Sequence, residues 1–492
     1  MTGGTVSFSY ALLLVALFSS PALSTTHYVS KAGSDSNDGL SPRTPWKTIS
    51  RVNRSTLSPG DQVLFHRGDT WYETLVPPSG GTAVGPITFG VYGAGAKPIV
   101  DAANSRNHAV KIYGTGFVVL DGLQFQNITF TSHGESLVQV LNSPHVAIKQ
   151  CTFTNYHVGA AIYLDSGSPN LVVDNNIGIK GARSNGRFLT SAITATSDNL
   201  VVSNNVIDDP GGRVLHQIGV FDVDNADFHG NTIYGGGIAA QFHVCFRSIS
   251  HGKIYDNYMV GAADADEGDN EIVELTGRND GGKSGTCTPG DGKGKNLSVT
   301  ADVYHNFLLF TTSTFNGIAG QLAINCRIYG NLIINELGAS DGNAIGFTYR
   351  SVNNVVYNNS IFNPHGYAFG FANNGCCTTV KNNLVKGRLY STAEPANIID
   401  DYNITTAVRT GGAGQGVIKG AHSHLNTDPQ FVSASAAEPS DFKLRDTSPA
   451  RHAGTRLGAP FNMALDSQGD FPHSKIDRDR AGMGWDIGAF AY

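Results

Sequence analysis

Leu200-Val-Val-Ser-Asn-Asn-Val-Ile207 runs apolar residues into a turn at Asn205 and out into apolar residues again. The same turn position recurs at Gly122, Cys151, Asn176, Asn205, Asn231, Asn257, Asn306, Asn331, Asn359 and Asn383, in steps of 29, 25, 29, 26, 26, 49, 25, 28 and 24 residues. Periods in this range, built from short β-rich runs, belong to a solenoid, in which each coil buries its apolar face only by stacking on its neighbours. An Asn repeated at a tight turn can pass side-chain hydrogen bonds from coil to coil, which explains the recurring residue type. The 49-residue step is close to two periods, so a rung there has either lost its Asn or taken up an insertion.

A chain of 492 residues with 59 glycines is long for one globular core but suits a solenoid, which grows by adding coils. A net charge of −6, with no basic run interleaved with aromatics, argues against a nucleic-acid surface. Ala11 to Phe18 form a short apolar core before the small-residue pattern Ala22-Leu23-Ser24, although no Lys or Arg precedes that core. This reads as a secretory signal peptide over 1–24, too short to span a bilayer, and no later run is long enough either. A secreted protein without a membrane span is expected. Its oxidising compartment favours disulfides among the six cysteines over metal, with Cys245 and Cys287 as the expected pair and Cys151 as a buried apolar residue. Asn53, Asn127, Asn296, Asn358 and Asn403 begin N-x-S/T sequons.

Over 25–115 the chain reads as an N-terminal cap and first coils. The strand at His27, a Gly/Asp/Asn turn and a Pro45-started amphipathic helix to Asn53 would cover the first coil's open edge. Coils fill 116–390, with an insertion at 276–300. Residues 391–492 read as closing coils and a tail packed along the solenoid, carrying Asp428-Pro-Gln-Phe431 and Asp486-Ile-Gly-Ala-Phe490.

Together the cap sequence, the Asn-bearing coils and these two closing segments resemble secreted right-handed parallel β-helix proteins of the pectate-lyase-like superfamily. The resemblance implies an all-β fold, a right-handed parallel β-helix with an N-terminal capping helix, and leaves the reaction open, since this superfold holds lyases, hydrolases, epimerases and adhesins. It further implies three strands per coil, with the strand after the variable loop lining the substrate groove. Those strands are expected at 160–165, 191–196, 217–222, 238–244, 270–275, 317–322, 344–350 and 368–373. Alternation then sends outward Tyr163 and Asp165, Thr194 and Thr196, Asp222, Gln241 and His243, Glu274, Gln321, Thr348 and Arg350, then Ala372.

Ionisable groups concentrate between Asp222 and Gln321. Asp222 and Glu274 lie two coils apart, roughly 9.6 Å between backbones, near the ~6.5–9.5 Å at which inverting glycosidases hold an acid and a base. They are the expected acid/base pair, with His243 and Asp224 tuning them, and Tyr163, Asp165, Asp224, Gln241, Gln321 and Arg350 contacting sugar. The alternative is that Asp222 and Asp224 are solvated turn carboxylates. Parity at Glu274 is open, since Glu271, Val273 and Leu275 share the other face.

Asp264, Asp266, Glu267, Asp269 and Glu271 form an acidic segment around Gly268 that could wrap Ca2+, a cation favouring six to eight oxygens, or spread into solvent. It resembles the calcium segment of family 9 pectate lyases. The carry-over breaks at Gly235 to Gln241, which lacks the expected aspartate, and at Asn316 to Gly320, which lacks the base lysine. The paired-aspartate and His-Gly motifs of family 28 polygalacturonases are also absent. Arg278, Lys283, Lys293 and Lys295 in the insertion could supply a cation or base, or be surface loop. The expectation is therefore a monomeric carbohydrate-active enzyme on an extracellular polysaccharide, first a two-carboxylate glycosidase. The second choice is a calcium-dependent lyase of a uronate polymer with a base from His243 or the insertion. The third is a non-catalytic glycan-binding β-helix. No phosphate-binding Gly motif follows a strand, so no nucleotide cofactor is expected.

Overall fold

A computed structural model describes residues 24–129, 135–157, 159–181, 190–209, 216–235, 242–247, 249–261, 271–277, 298–310, 316–335, 342–371, 377–392, 397–407, 417–480 and 484–492. Fifteen parallel strands, from Thr26–Val29 to Val417–Lys419, stack into one sheet along the solenoid. A second sheet holds two further stacks: strands that leave the Asn turn, such as Val206–Asp209, and strands that complete each coil, such as Glu271–Thr276. Each coil is thus three strands, and the predicted groove strands appear as Gly159–Leu164, Thr190–Ala195, His216–Phe221, Phe242–Arg247, Glu271–Thr276, Asn316–Gln321, Asn343–Thr348 and the end of Ser360–Phe371. Apolar side chains alternate inward, as Val118 and Leu120 or Val63 and Phe65 do, and fill one continuous core.

The turn residues split into two roles. Gly122 is itself left-handed (φ 78°) and by register stands in line with Gln150 rather than Cys151. From Cys151 to Asn403 the residue before each ladder position takes a left-handed conformation, as in Asn175 (φ 53°), Asn204 (φ 56°) and Gly230 (φ 65°). The next residue is the ladder Asn, fully buried at Asn176, Asn205, Asn257 and Asn306. Asn205 Nδ2 donates to Asn231 Oδ1 at 3.0 Å and to the Val173 carbonyl at 2.9 Å, and Asn205 N donates to the same Asn231 oxygen at 3.0 Å. Asn257 bonds directly to Asn306, Nδ2 to Oδ1 at 2.9 Å. The 49-residue step is therefore one coil carrying an insertion. Cys151 heads the ladder, buried, with its thiol pushed up to about 12 by burial. Asn403 ends it.

At the N-terminus, Trp46 lies extended against the first strand, with Trp46 N donating to Tyr28 O at 2.8 Å and Ser30 N donating to Trp46 O at 2.8 Å. The capping helix accordingly starts four residues after Pro45, as Ile49–Asn53, with the Thr48 hydroxyl accepting from Arg51 N at 3.0 Å. From Phe431 on, the chain returns along the solenoid. Phe431, Phe442, Leu465, Ile487 and Phe490 cluster with Phe307, Leu332, Phe362, Leu384 and Ile404. No helix among the described residues is long and apolar enough to cross a membrane. Of the sequons, Asn358 and Asn403 are buried in the structure, and Asn296 lies outside the described residues. So do Cys287, the Cys245 side chain and the segment 1–23.

Candidate active site

Register aligns the residues of the expected groove strands. One line of paired residues runs Gln139, Tyr163, Thr194, Gly219, Cys245, Glu274, Ala319, Gly346 and Gly370. The next line outward runs Phe221, Arg247, Thr276, Gln321 and Thr348. Within Glu271–Thr276, Ile272, Val273 and Leu275 all belong to the core. Two consecutive inward residues require a bend, and it leaves Glu274 facing outward and turns Glu271 out of the core. Glu271 is held there by Asn316 of the next coil, whose Nδ2 donates to Glu271 Oε1 at 3.3 Å.

The two carboxylates are nonetheless shielded from water, Glu271 being 8% and Glu274 2% exposed. Thr276, fully buried, donates its hydroxyl to Glu274 Oε1 at 2.5 Å. Three residues along an extended strand separate the Cα atoms by about 10 Å at most, and the bend at Ile272 shortens this. A buried carboxylate pair at such a spacing can divide proton donation from proton abstraction across one bond.

The expected partner of Glu274 lies elsewhere. Its strand ends at Phe221, in line with Thr276, and Asp222 follows in a left-handed turn (φ 54°). Two coils and three residues then separate Asp222 from Glu274, roughly 14 Å between backbones rather than 9.6 Å. His243 falls between Phe242, paired with Glu271, and Val244, paired with Val273, which sets its backbone opposite the core residue Ile272; the position in line with Glu274 is Cys245. Asp165 accepts from Asn142 N at 3.1 Å and from the Ser168 hydroxyl at 2.6 Å. Asp224 accepts from the Ser250 hydroxyl, and its own N donates to Asp198 Oδ1 at 3.0 Å. Both aspartates thus brace turns.

Tyr163 stands on the Glu274 line four coils away, about 19 Å, with its phenol pushed up by burial and by Asp165. Gln321 lies beside Thr276 and Thr348, and Arg350 occupies an exposed left-handed turn with Tyr349. Gln241, Asp264, Asp266, Glu267, Asp269 and the insertion's Arg278, Lys283, Lys293 and Lys295 lie outside the described residues. Among the described residues no group of three His, Cys, Asp or Glu could hold a metal ion. Sequence reasoning missed Thr276, Asn316 and Asn343. Their signal was the repeat Asn316-Gly-Ile-Ala-Gly-Gln321 and Asn343-Ala-Ile-Gly-Phe-Thr348, with a polar residue at each end and a small one at the Glu274 position.

A family model described as a right handed beta helix region matches residues 99–235. A lacto-N-biosidase of Bifidobacterium longum subsp. longum is 40% identical over 83 residues, which make up 15% of this chain and 5% of that protein's length. Among solved structures, XylC in complex with xylose aligns with a TM-score of 0.52 at 11% identity, over 79% of this chain and 86% of that one. The PL6 family alginate lyase AlyGC aligns with a TM-score of 0.55 at 11% identity, over 85% of this chain and 55% of that one. These likenesses bear on the fold alone, which is the right-handed parallel β-helix.

Proposed function

We propose that this chain is an exported, monomeric carbohydrate-active enzyme that hydrolyses glycosidic bonds of an extracellular polysaccharide, with Glu271 and Glu274 as its carboxylate pair. The observation that carries the reading is the pair itself: two shielded carboxylates on one groove strand, each with a hydrogen-bond donor of its own. Saccharide chemistry is also what the names of the matched proteins share. One carboxyl would protonate the leaving oxygen while the other activates water on the opposite face of the sugar. The competing chemistry is β-elimination on a uronate polymer, with calcium at Asp264, Asp266, Glu267, Asp269 and Glu271 and a base from His243 or the insertion.

The test incubates the protein with neutral and uronate-containing polysaccharides, with and without chelator, following reducing ends together with the ultraviolet absorbance of unsaturated uronates. Hydrolysis releases reducing ends without that absorbance, and Glu271→Gln and Glu274→Gln should each slow it by about 10²–10⁴-fold. Absorbance that chelation abolishes would instead establish the lyase. Full activity in both variants would remove the pair from the mechanism.

A further inference from the structure

Glu271, Asn316 and Asn343 occupy one register line on three successive coils. Asn343 Nδ2 donates to Asn316 Oδ1 at 3.1 Å, and Asn316 Nδ2 donates to Glu271 Oε1 at 3.3 Å. Both amides therefore donate in the same direction, and the series ends on a carboxylate, which when ionised only accepts. At its other end Asn343 Oδ1 is buried with no hydrogen-bond partner among the described residues. The amides lie on glycines. A Cβ on Gly346 would stand 2.9 Å from Asn316 Oδ1, and one on Gly370 would stand 2.5 Å from the Asn343 amide.

The corner ladder of this molecule shows what a purely structural series looks like. There Asn403, the last rung, donates to the Val380 carbonyl at 2.8 Å and to Asp400 at 3.1 Å, and its N donates to the Ser423 hydroxyl at 3.1 Å. The groove series instead leaves its far acceptor desolvated and without a partner among the described residues, a cost that calls for an explanation, and a place in a functional site is one. We infer that Asn316 and Asn343 are positioning residues for the reaction: Asn343 fixes Asn316, Asn316 aims the Glu271 carboxylate, and Gly346 and Gly370 are the seats that let both amides lie flat. This rests on the hydrolase reading and extends it by two coils beyond the residues that touch the reacting bond.

A serial arrangement has a distinct signature in a double-mutant cycle. Asn316→Ala should lower kcat by about 10–100-fold with KM held within about twofold, and Asn343→Ala by about 3–10-fold. Because Asn343 acts only through Asn316, the double variant should be no slower than Asn316→Ala alone, whereas independent residues would multiply. Multiplicative losses, or losses confined to KM, overturn the inference. Crystal structures of Asn343→Ala and Gly370→Ala decide it without activity: a displaced Asn316 amide and a rotated Glu271 carboxylate support it, and unmoved side chains overturn it. Full activity in Glu271→Gln would show that the hydrolase assignment had failed, and the same two crystal structures would still decide the positioning series.

Discussion

Thr276 is the described residue that most directly controls Glu274. Its hydroxyl is buried, donates at 2.5 Å and sits two residues along the same strand, so both side chains lie on one face of it. A hydrogen bond to a charged group contributes about 1.5–3 kcal/mol. Thr276→Val keeps the shape and removes the donor, and kcat should fall about 10–100-fold if that bond strengthens as charge develops on Glu274; unchanged kcat would reduce Thr276 to a packing residue. The sequence pointed to Glu274 but not to Glu271 as the second carboxylate of the proposed pair. Strict alternation, applied through Ile272 and Val273, put Glu271 inside with Val273, whereas the bend there makes Ile272 and Val273 neighbours in the core and frees Glu271. The same assumption moved Asp222 onto a strand that ends one residue before it. A one-residue error in a strand end is invisible in composition, yet it shifts a side chain by a full register line.

Among the elements, the Asn corner was legible because its period survives any loop length, and even the 49-residue step resolves into one rung, Asn257 on Asn306. What the sequence did not show is that paired asparagines divide the work, the first adopting the left-handed backbone and the second the buried ladder. A second Asn series makes the distinction testable. Asn199 Nδ2 donates to Asn170 Oδ1 and Asn225 Nδ2 to Asn199 Oδ1, each at 3.0 Å, at an exposed corner where all three have positive φ. Asn231→Ala deprives the buried Asn205 N and Nδ2 of their acceptor and the Val202 carbonyl of a donor. Each buried group left unsatisfied costs about 1–3 kcal/mol, so the loss in urea unfolding should reach at least about 3 kcal/mol. At Asn199→Ala water replaces the lost bond, and the left-handed backbone alone costs about 1–2 kcal/mol. Equal losses at the two sites would mean that burial is not what gives the ladder its strength.

On the scale of the whole molecule, the returning tail packs along several coils, and one of its contacts, at His305, depends on a titratable group. His305, in the last coil before Asn306, is fully enclosed and meets the Met463 carbonyl at 3.2 Å through Nε2. Burial, with Lys475 and Arg478 adding to it, holds its imidazole down at about 3, so it is neutral in the folded protein. Once the chain unfolds, that imidazole returns to about 6.5. Between these values the unfolded state binds a proton that the folded state does not, so the stability contributed by neutral His305 is complete above about pH 6.5 and is lost as the pH falls towards 3. Asp256 works in the opposite direction: burial raises it despite Lys475 at 2.9 Å, so protonation on acidification favours the folded state. Tail detachment should therefore become easier between pH 6.5 and 4 to the extent that His305 dominates. His305→Asn keeps a residue suited to the left-handed turn (φ 54°) and cannot titrate. Unfolding free energies measured against pH should fall less steeply in that variant than in the native chain below pH 6.5, and parallel profiles would show that the acid sensitivity resides in other groups.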